Sequence, residues 1–438
     1  MKFLEEKFVP LAAKIGSQKH LVSIRDAFVV MMPLTIAGAV GVLLACIGQL
    51  FAESGLNMPG VQTAYESFIN NTGLLTVFGA LSAGTIDIMA ILIAGLISYN
   101  LTNANGGDGL AGLTVGIAAF LCGIKINLAG VDANGNPAAT FLNGLLGSSG
   151  LFVAMLVGLL VGEVFPRLSA SKKLQITMPD GVPPAVAKSF SSLFPAIITL
   201  AIVAAIYSYV FKFTGKSFFD VITEVLATPL KGLSQNVFFL IVQFFMIDLL
   251  WMFGLHGANI VGSVTTPVLS PLGIENMNNF AAGKEPQNTV TGTMGSAFAV
   301  IGGSGATLGL IIAIFIFSKS KAARTIAQLG VAPGIFEINE PITFGLPVVM
   351  NVVYAIPFIC GPIILVVITY YLMEAGLIRR TCIEAPWVTP PILYGFLATG
   401  GDVKGAIWNA IELVLLTVIW TPFVMVNDKV EARQAAGE

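Results

Sequence analysis

Three side chains with chemical potential stand together in the apolar segment GVAPGIFEINEPITFGLP, residues 330–347: Glu337, Asn339 and Glu340. Gly334, Pro341, Gly345 and Pro347 interrupt helical backbone around them. A carboxylate on broken backbone inside an apolar stretch is costly, and such a group usually serves a polar solute or an ion. Proline at 341 disfavours helix at Glu340, so this acid is expected on irregular backbone. Its oxygens suit hydroxyl donors and the work of a general base. Structural pairing is the alternative. Glu337 reads as a supporting acid.

Only two histidines occur. His20 lies in a basic N-terminal region and needs no special role. His256, in LHGAN beside Gly257 and Asn259, opens a second broken apolar run, 253–273. That position favours a functional reading over packing. Asp87, Glu163, Asp248 and Glu412 sit in other apolar stretches. Asp87, Glu163 and Glu412 read as structural partners of nearby polar groups. Asp248 lies about two helical turns before His256, close enough to share its face. GGSGATLG, 302–309, lacks the Gly-Lys-Ser/Thr ending of a phosphate loop, which argues against an ATPase. Its glycines, Gly305 among them, suit either close backbone approach to a ligand or a helix–helix contact. Trp251, Phe253, Phe336, Phe344 and Trp387 suit either packing against a ligand's ring or the aromatic belt that membrane interfaces carry without any ligand. Cys46, Cys122, Cys360 and Cys382 form no CxxC pair, so neither a disulfide framework nor a metal site is expected.

The elements that must position these residues are membrane helices. The chain is 55% hydrophobic and 11% charged, with mean hydropathy +0.86. A soluble domain carries about a quarter charged residues. A net charge of −2 gives no case for nucleic-acid binding. The expected class is an all-α polytopic membrane protein with about ten transmembrane helices, two re-entrant hairpins and amphipathic surface helices. Crossings are expected near 27–51, 74–98, 111–129, 143–166, 190–211, 236–255, 293–318, 346–373, 390–400 and 404–426. The hairpins are expected at 253–273 and 333–347, and paired broken segments of this kind mark a transporter's substrate site. Surface helices are expected at the N-terminus (Leu4, Phe8, Leu11, Ile15) and at 216–233. The N-terminus lacks the apolar core of a signal peptide. Lys and Arg cluster in residues 1–26 and after the fourth span, which predicts a cytoplasmic N-terminus. The organisation reads as an N-terminal membrane half, 1–215, a connector, 216–235, and a site-bearing half, 236–438. The proline-rich 178–190 segment is either an ordinary loop or a docking surface.

LHG around His256, PDGVPPAVAKSF at 179–190 and INEP at 338–341 together resemble the EIIC membrane component of bacterial phosphoenolpyruvate-dependent sugar phosphotransferase systems. The chain is most similar to the lactose/cellobiose branch, above all its cellobiose and diacetylchitobiose transporters, from about residue 5 to residue 428. The resemblance implies a homodimer in the cytoplasmic membrane, with the dimer interface in the first half and the sugar held in the second. It implies a β-linked disaccharide as substrate, phosphorylated by a phosphocysteine on EIIB, which EIIA and HPr recharge. It assigns His256 and Glu340 to the reacting hydroxyl, with Asn339 beside them. Gly305, Asn259 and Phe344 complete the expected sugar site. No cofactor and no metal are expected. No soluble stretch here would house EIIA or EIIB, so both are expected on separate chains. An ion-coupled secondary sugar transporter using Asp248, His256 or Glu340 is the alternative.

Overall fold

The computed structural model describes residues 9–51, 58–124, 126–131, 137–141, 143–176, 183–346, 348–349 and 351–436. Leu4 and Phe8 of the first surface helix, Pro179 of the proline-rich loop and Pro347 lie outside the described residues. Among the described residues the architecture is helical apart from one two-stranded antiparallel ribbon, Ile126–Val131 with Pro137–Phe141. Among the described residues, six helices are long and apolar enough to cross a membrane, or up to seven if one bent pair counts as a single span. The remaining expected crossings are shorter or interrupted. The third stops as the Gly109–Leu121 helix, and its tail enters the ribbon. The crossing expected at 293–318 is two helices, Gly292–Phe298 and Thr307–Phe317, parted by the glycine-rich turn. Only Leu393–Ala398 is helical in 390–400.

The chain divides into two compact units, Ser17–Gly38 with Leu81–Gly232, and Met1–Gly16 with Ala39–Ala80 and Leu233–Glu438. In the first unit, Met89–Ala104, Gly109–Leu121 and Leu151–Ser169 pack through small residues. A Cβ at Gly162 would lie 2.6 Å from Leu101 Cβ, and one at Gly116 would lie 2.1 Å from Ser98 Oγ. Within lipid there is no water to expel between helices, so such close backbone approach supplies the attraction. Glu163 is the polar anchor: Lys19 Nζ approaches it at 2.6 Å and His20 Nε2 at 2.8 Å, and Arg167 pairs with it. This is the structural pairing expected of that acid. The 216–233 stretch is helical, beginning with a capping box between Ser217 and Asp220. Its expected apolar face is only partly covered, because Val225 is exposed.

The second unit holds the broken segments. Its core joins Phe298, Tyr354, Phe358 and Trp420, of which Tyr354 and Trp420 meet edge to face at 5.8 Å. Glu412 is fully buried and accepts hydrogen bonds from Thr369 Oγ1 at 2.8 Å and Asn409 Nδ2 at 2.7 Å. A buried acid so satisfied is structural. The 253–273 run corrects the hairpin expectation. The Gly257–Ala281 helix continues through Pro267 and Pro271, and the chain reverses only at 282–291. Buried Asn276 explains the reversal: its Oδ1 accepts from Gln287 and Asn288 N–H, and its Nδ2 donates to the carbonyls of Asn288 and Thr381. Three of its four bonds go to the returning chain and the fourth to Thr381, which holds the turn better than local breakers do.

Candidate functional site

His256 caps the Gly257–Ala281 helix, its Nδ1 accepting the Asn259 N–H at 3.3 Å. Both residues are exposed. Gly254, at φ 75°, turns the chain between Trp251 and His256, so the two rings lie 4.6 Å apart. Trp251 also faces Phe344, with ring centroids 6.4 Å apart. Phe344 belongs to the short Glu340–Gly345 helix. The helix that Trp251 meets through Phe344 is thus the one that begins at Glu340. One aromatic bridge thereby brings LHGAN and INEP together.

Glu340 departs from expectation in two respects. It is the first residue of a helix, because Pro341 occupies the helix start, where a missing N–H costs nothing. It is also exposed, while Glu337 and Asn339 are buried. The two acids three residues apart thus point to different surroundings.

Glu337 adopts φ 65°, a conformation that favours glycine. Its Oε2 accepts the N–H of Gly302 at 2.6 Å and of Gly303 at 3.0 Å. Asn339 Nδ2 donates to the Ser304 carbonyl at 2.7 Å. Asp248, fully buried, accepts the Gly305 N–H on Oδ1 at 3.1 Å, and its Oδ2 has no partner among the described residues. The glycine-rich turn is therefore a nest of N–H donors occupied by the protein's own carboxylates. Neither reading offered by its composition anticipated this. Its glycines are required: Gly303, at φ 91°, lies against Asn339, and a Cβ there would come 2.7 Å from Asn339 Cβ. Gly305 spends its N–H on Asp248 and its α-carbon face on Phe358, 2.2 Å from a built Cβ.

Phe336 and Trp387 are exposed in the same unit. A polar group that sequence reading passed over is Glu384, half-buried in the irregular segment before Leu393. Its neighbour Ala385 accepts from the buried Tyr394 hydroxyl at 3.5 Å. TCIEAPW carries the same signal as INEP, an acid in an apolar run followed closely by proline. Among the described residues no group of acids, cysteines and histidines has the arrangement of a metal site. All four cysteines are free thiols.

Comparison with known proteins places this geometry in a family. The sequence profile described as "Phosphotransferase system, EIIC" matches residues 25–362. The chain is 36% identical to a cellobiose-specific EIIC component from Lactococcus lactis, covering 98% of each chain. It is 34% identical to an oligo-beta-mannoside-specific EIIC component from Bacillus subtilis, covering 99% of this chain and 96% of that one. The crystal structure of ChbC, the IIC component of an N,N'-diacetylchitobiose-specific phosphotransferase system, superposes with a TM-score of 0.89 at 32% identity over 100% of both chains. With a profile match over most of its length and full-length relatives above 30% identity, this chain belongs to the EIIC membrane components of the phosphotransferase system.

Proposed function

We propose that this chain carries a β-linked disaccharide of the cellobiose or diacetylchitobiose type across the cytoplasmic membrane and presents it to phospho-EIIB. The observation that supports the reading is the aromatic bridge of Trp251, which packs against exposed His256 and against Phe344 of the short helix that begins at exposed Glu340. Relatives named for cellobiose, oligo-β-mannosides and diacetylchitobiose support the substrate class. In the reaction, a sugar hydroxyl oxygen attacks phosphorus on the EIIB phosphocysteine. A P–O bond forms, the P–S bond breaks, the thiolate leaves with its electron pair, and Glu340 receives the hydroxyl proton. His256 hydrogen-bonds the sugar and faces the developing phosphoryl charge. Asn339 and Gly305 act on the sugar through the backbone they hold, while Asn259 and Phe344 meet it directly. The charged product cannot return across the lipid.

The remaining parts of the reading follow from the sequence. The N-terminus is cytoplasmic, residues 1–215 supply a homodimer interface, and residues 236–438 hold the sugar. EIIB docks on the basic stretch that carries Arg167, Lys172, Lys173 and Lys188. EIIA and HPr recharge EIIB.

Phosphotransfer in proteoliposomes tests the proposal. Labelled disaccharide should become phosphorylated only when phospho-EIIB is added, and Glu340→Gln should abolish this while leaving sugar binding in place. Uptake of unmodified sugar that collapses with an ion gradient would overturn the reaction. Full phosphotransfer by Glu340→Gln would remove that residue from it.

A further inference from the structure

The Thr307–Phe317 and Val403–Ala436 helices are tied at two levels. Gly309 lets them touch, since a Cβ there would lie 2.5 Å from Leu416 Cβ. Further along, Asp428 accepts from Ser318 Oγ and from the Lys319 N–H. Alongside these ties runs a groove of about 560 Å³, walled by Ile312, Ile316 and Phe317 on one helix and by Val414, Val418 and Met425 on the other. Val418 is 64% exposed and Ile316 59%, on helices with the composition of membrane segments. The two threonines of the wall, Thr417 and Thr421, return their hydroxyls to the carbonyls of Leu413 and Thr417, so the groove offers no free donor. It suits a hydrocarbon chain.

One end of the groove is basic. Phe317 leads directly into Lys319, Lys321 and Arg324, all exposed. Lys429 follows Met425 by four residues, which keeps it on the groove face of its helix. Asp428 brings one negative charge to this end, where it holds Ser318 and the Lys319 N–H, and the described cations outnumber it. Among the described side chains no ion pair joins Lys319, Lys321 or Lys429 to an acid. A cation cluster at the mouth of an apolar groove matches a molecule with a negative head and an apolar tail.

We infer that this groove is a binding site for an anionic phospholipid, the acyl chain lying between the two helices and the phosphate among Lys319, Lys321 and Lys429. Clustered lysines at a membrane boundary attract acidic headgroups, and the groove adds what a bare basic patch lacks, a fixed place for the tail.

Native mass spectrometry of the full-length protein, released from nanodiscs of mixed phosphatidylcholine and phosphatidylglycerol, tests the inference. The wild-type chain should retain phosphatidylglycerol over phosphatidylcholine by on the order of tenfold or more. The triple variant Lys319→Gln, Lys321→Gln, Lys429→Gln should lose that preference and keep disaccharide affinity. Val418→Trp, which fills the groove and leaves every cation, should lose retained phospholipid. Equal retention of phosphatidylglycerol by wild type and the triple variant would overturn the site. So would unchanged retention by Val418→Trp, or glycerol phosphate raising the melting midpoint as much as phosphatidylglycerol, since either makes the tail irrelevant.

Discussion

Replacing Glu337 separates the two acids of the motif. In Glu337→Ala, the Gly302 N–H loses its acceptor in a buried site, while the Gly303 N–H, which also donates to the Val300 carbonyl at 2.7 Å, loses one of two. The unsatisfied buried donor costs about 1–3 kcal/mol and the second lost bond about 1 kcal/mol more, so the clamp contributes roughly 2–4 kcal/mol, reduced to the extent that water enters the vacated space. Alanine keeps the unfavourable φ of 65°. Glu337→Gly removes it and should recover about 1 kcal/mol relative to alanine. Glu337→Gln retains a carbonyl for both donors and should lose about 1 kcal/mol, the difference between a charged and a neutral acceptor. Thermal midpoints in detergent should therefore rank wild type, Gln, Gly, Ala. Disaccharide affinity should fall in the same order, because the clamp fixes the backbone from which Glu340 projects. An alanine variant that melts with wild type and binds sugar normally would refute the reasoning.

Gly305→Ala should lower the melting midpoint by more than any surface alanine. The added Cβ meets the Phe358 ring at 2.2 Å, at φ 76°, and overpacking alone costs about 1–3 kcal/mol; a midpoint within error of wild type would show that the turn can slide. Asp108 gives a pH dependence. Its carboxylate caps the Gly109–Leu121 helix through Leu110 and Ala111 N–H and pairs with Lys188 at 2.9 Å. Partial burial pulls this carboxyl upward, but the Lys188 ammonium and the backbone donors outweigh it and leave it below the ordinary carboxylate range. A depressed folded-state value means stabilisation that is complete above the unfolded carboxylate range and lost as pH falls through the folded value. Wild type should thus lose thermal stability on acidification below the ordinary Asp range, and Asp108→Asn should lose less over the same interval; parallel pH curves for the two would remove Asp108 as the cause.

Much of the site was legible because membrane burial makes polar residues conspicuous. Glu340, Asn339 and His256 stand out in an apolar sequence, and the structure brings their segments together through Trp251. The direction in which each side chain points was not legible. INEP suggested a buried Glu340 on irregular backbone, but Pro341 begins a helix there and the acid is exposed. The hairpin expected at 253–273 failed for a related reason. Prolines break an isolated helix, yet tertiary partners such as Asn276 decide where this chain turns. The engagement of Glu337 and Asp248 with the glycine-rich turn lies 34 to 57 residues away in sequence, and no local pattern encodes such a pairing.

These pairings give the acids around Glu340 a structural task. A single carboxylate on a short helix after two irregular residues has little to fix its position, since a six-residue helix is marginal by itself. The chain meets this by turning alternate polar residues of EIN inward. Glu337 takes two N–H groups of the glycine-rich turn and Asn339 gives one bond back to it, while Asp248 holds the same turn from the Val237–Met252 helix that also bears Trp251. Trp251 then packs on His256 and Phe344. The glycine-rich turn is thus tied both to the helix that places His256 and to the segment that places Glu340. A shift of that turn moves both residues together, so their separation is held by hydrogen bonds that neither of them makes.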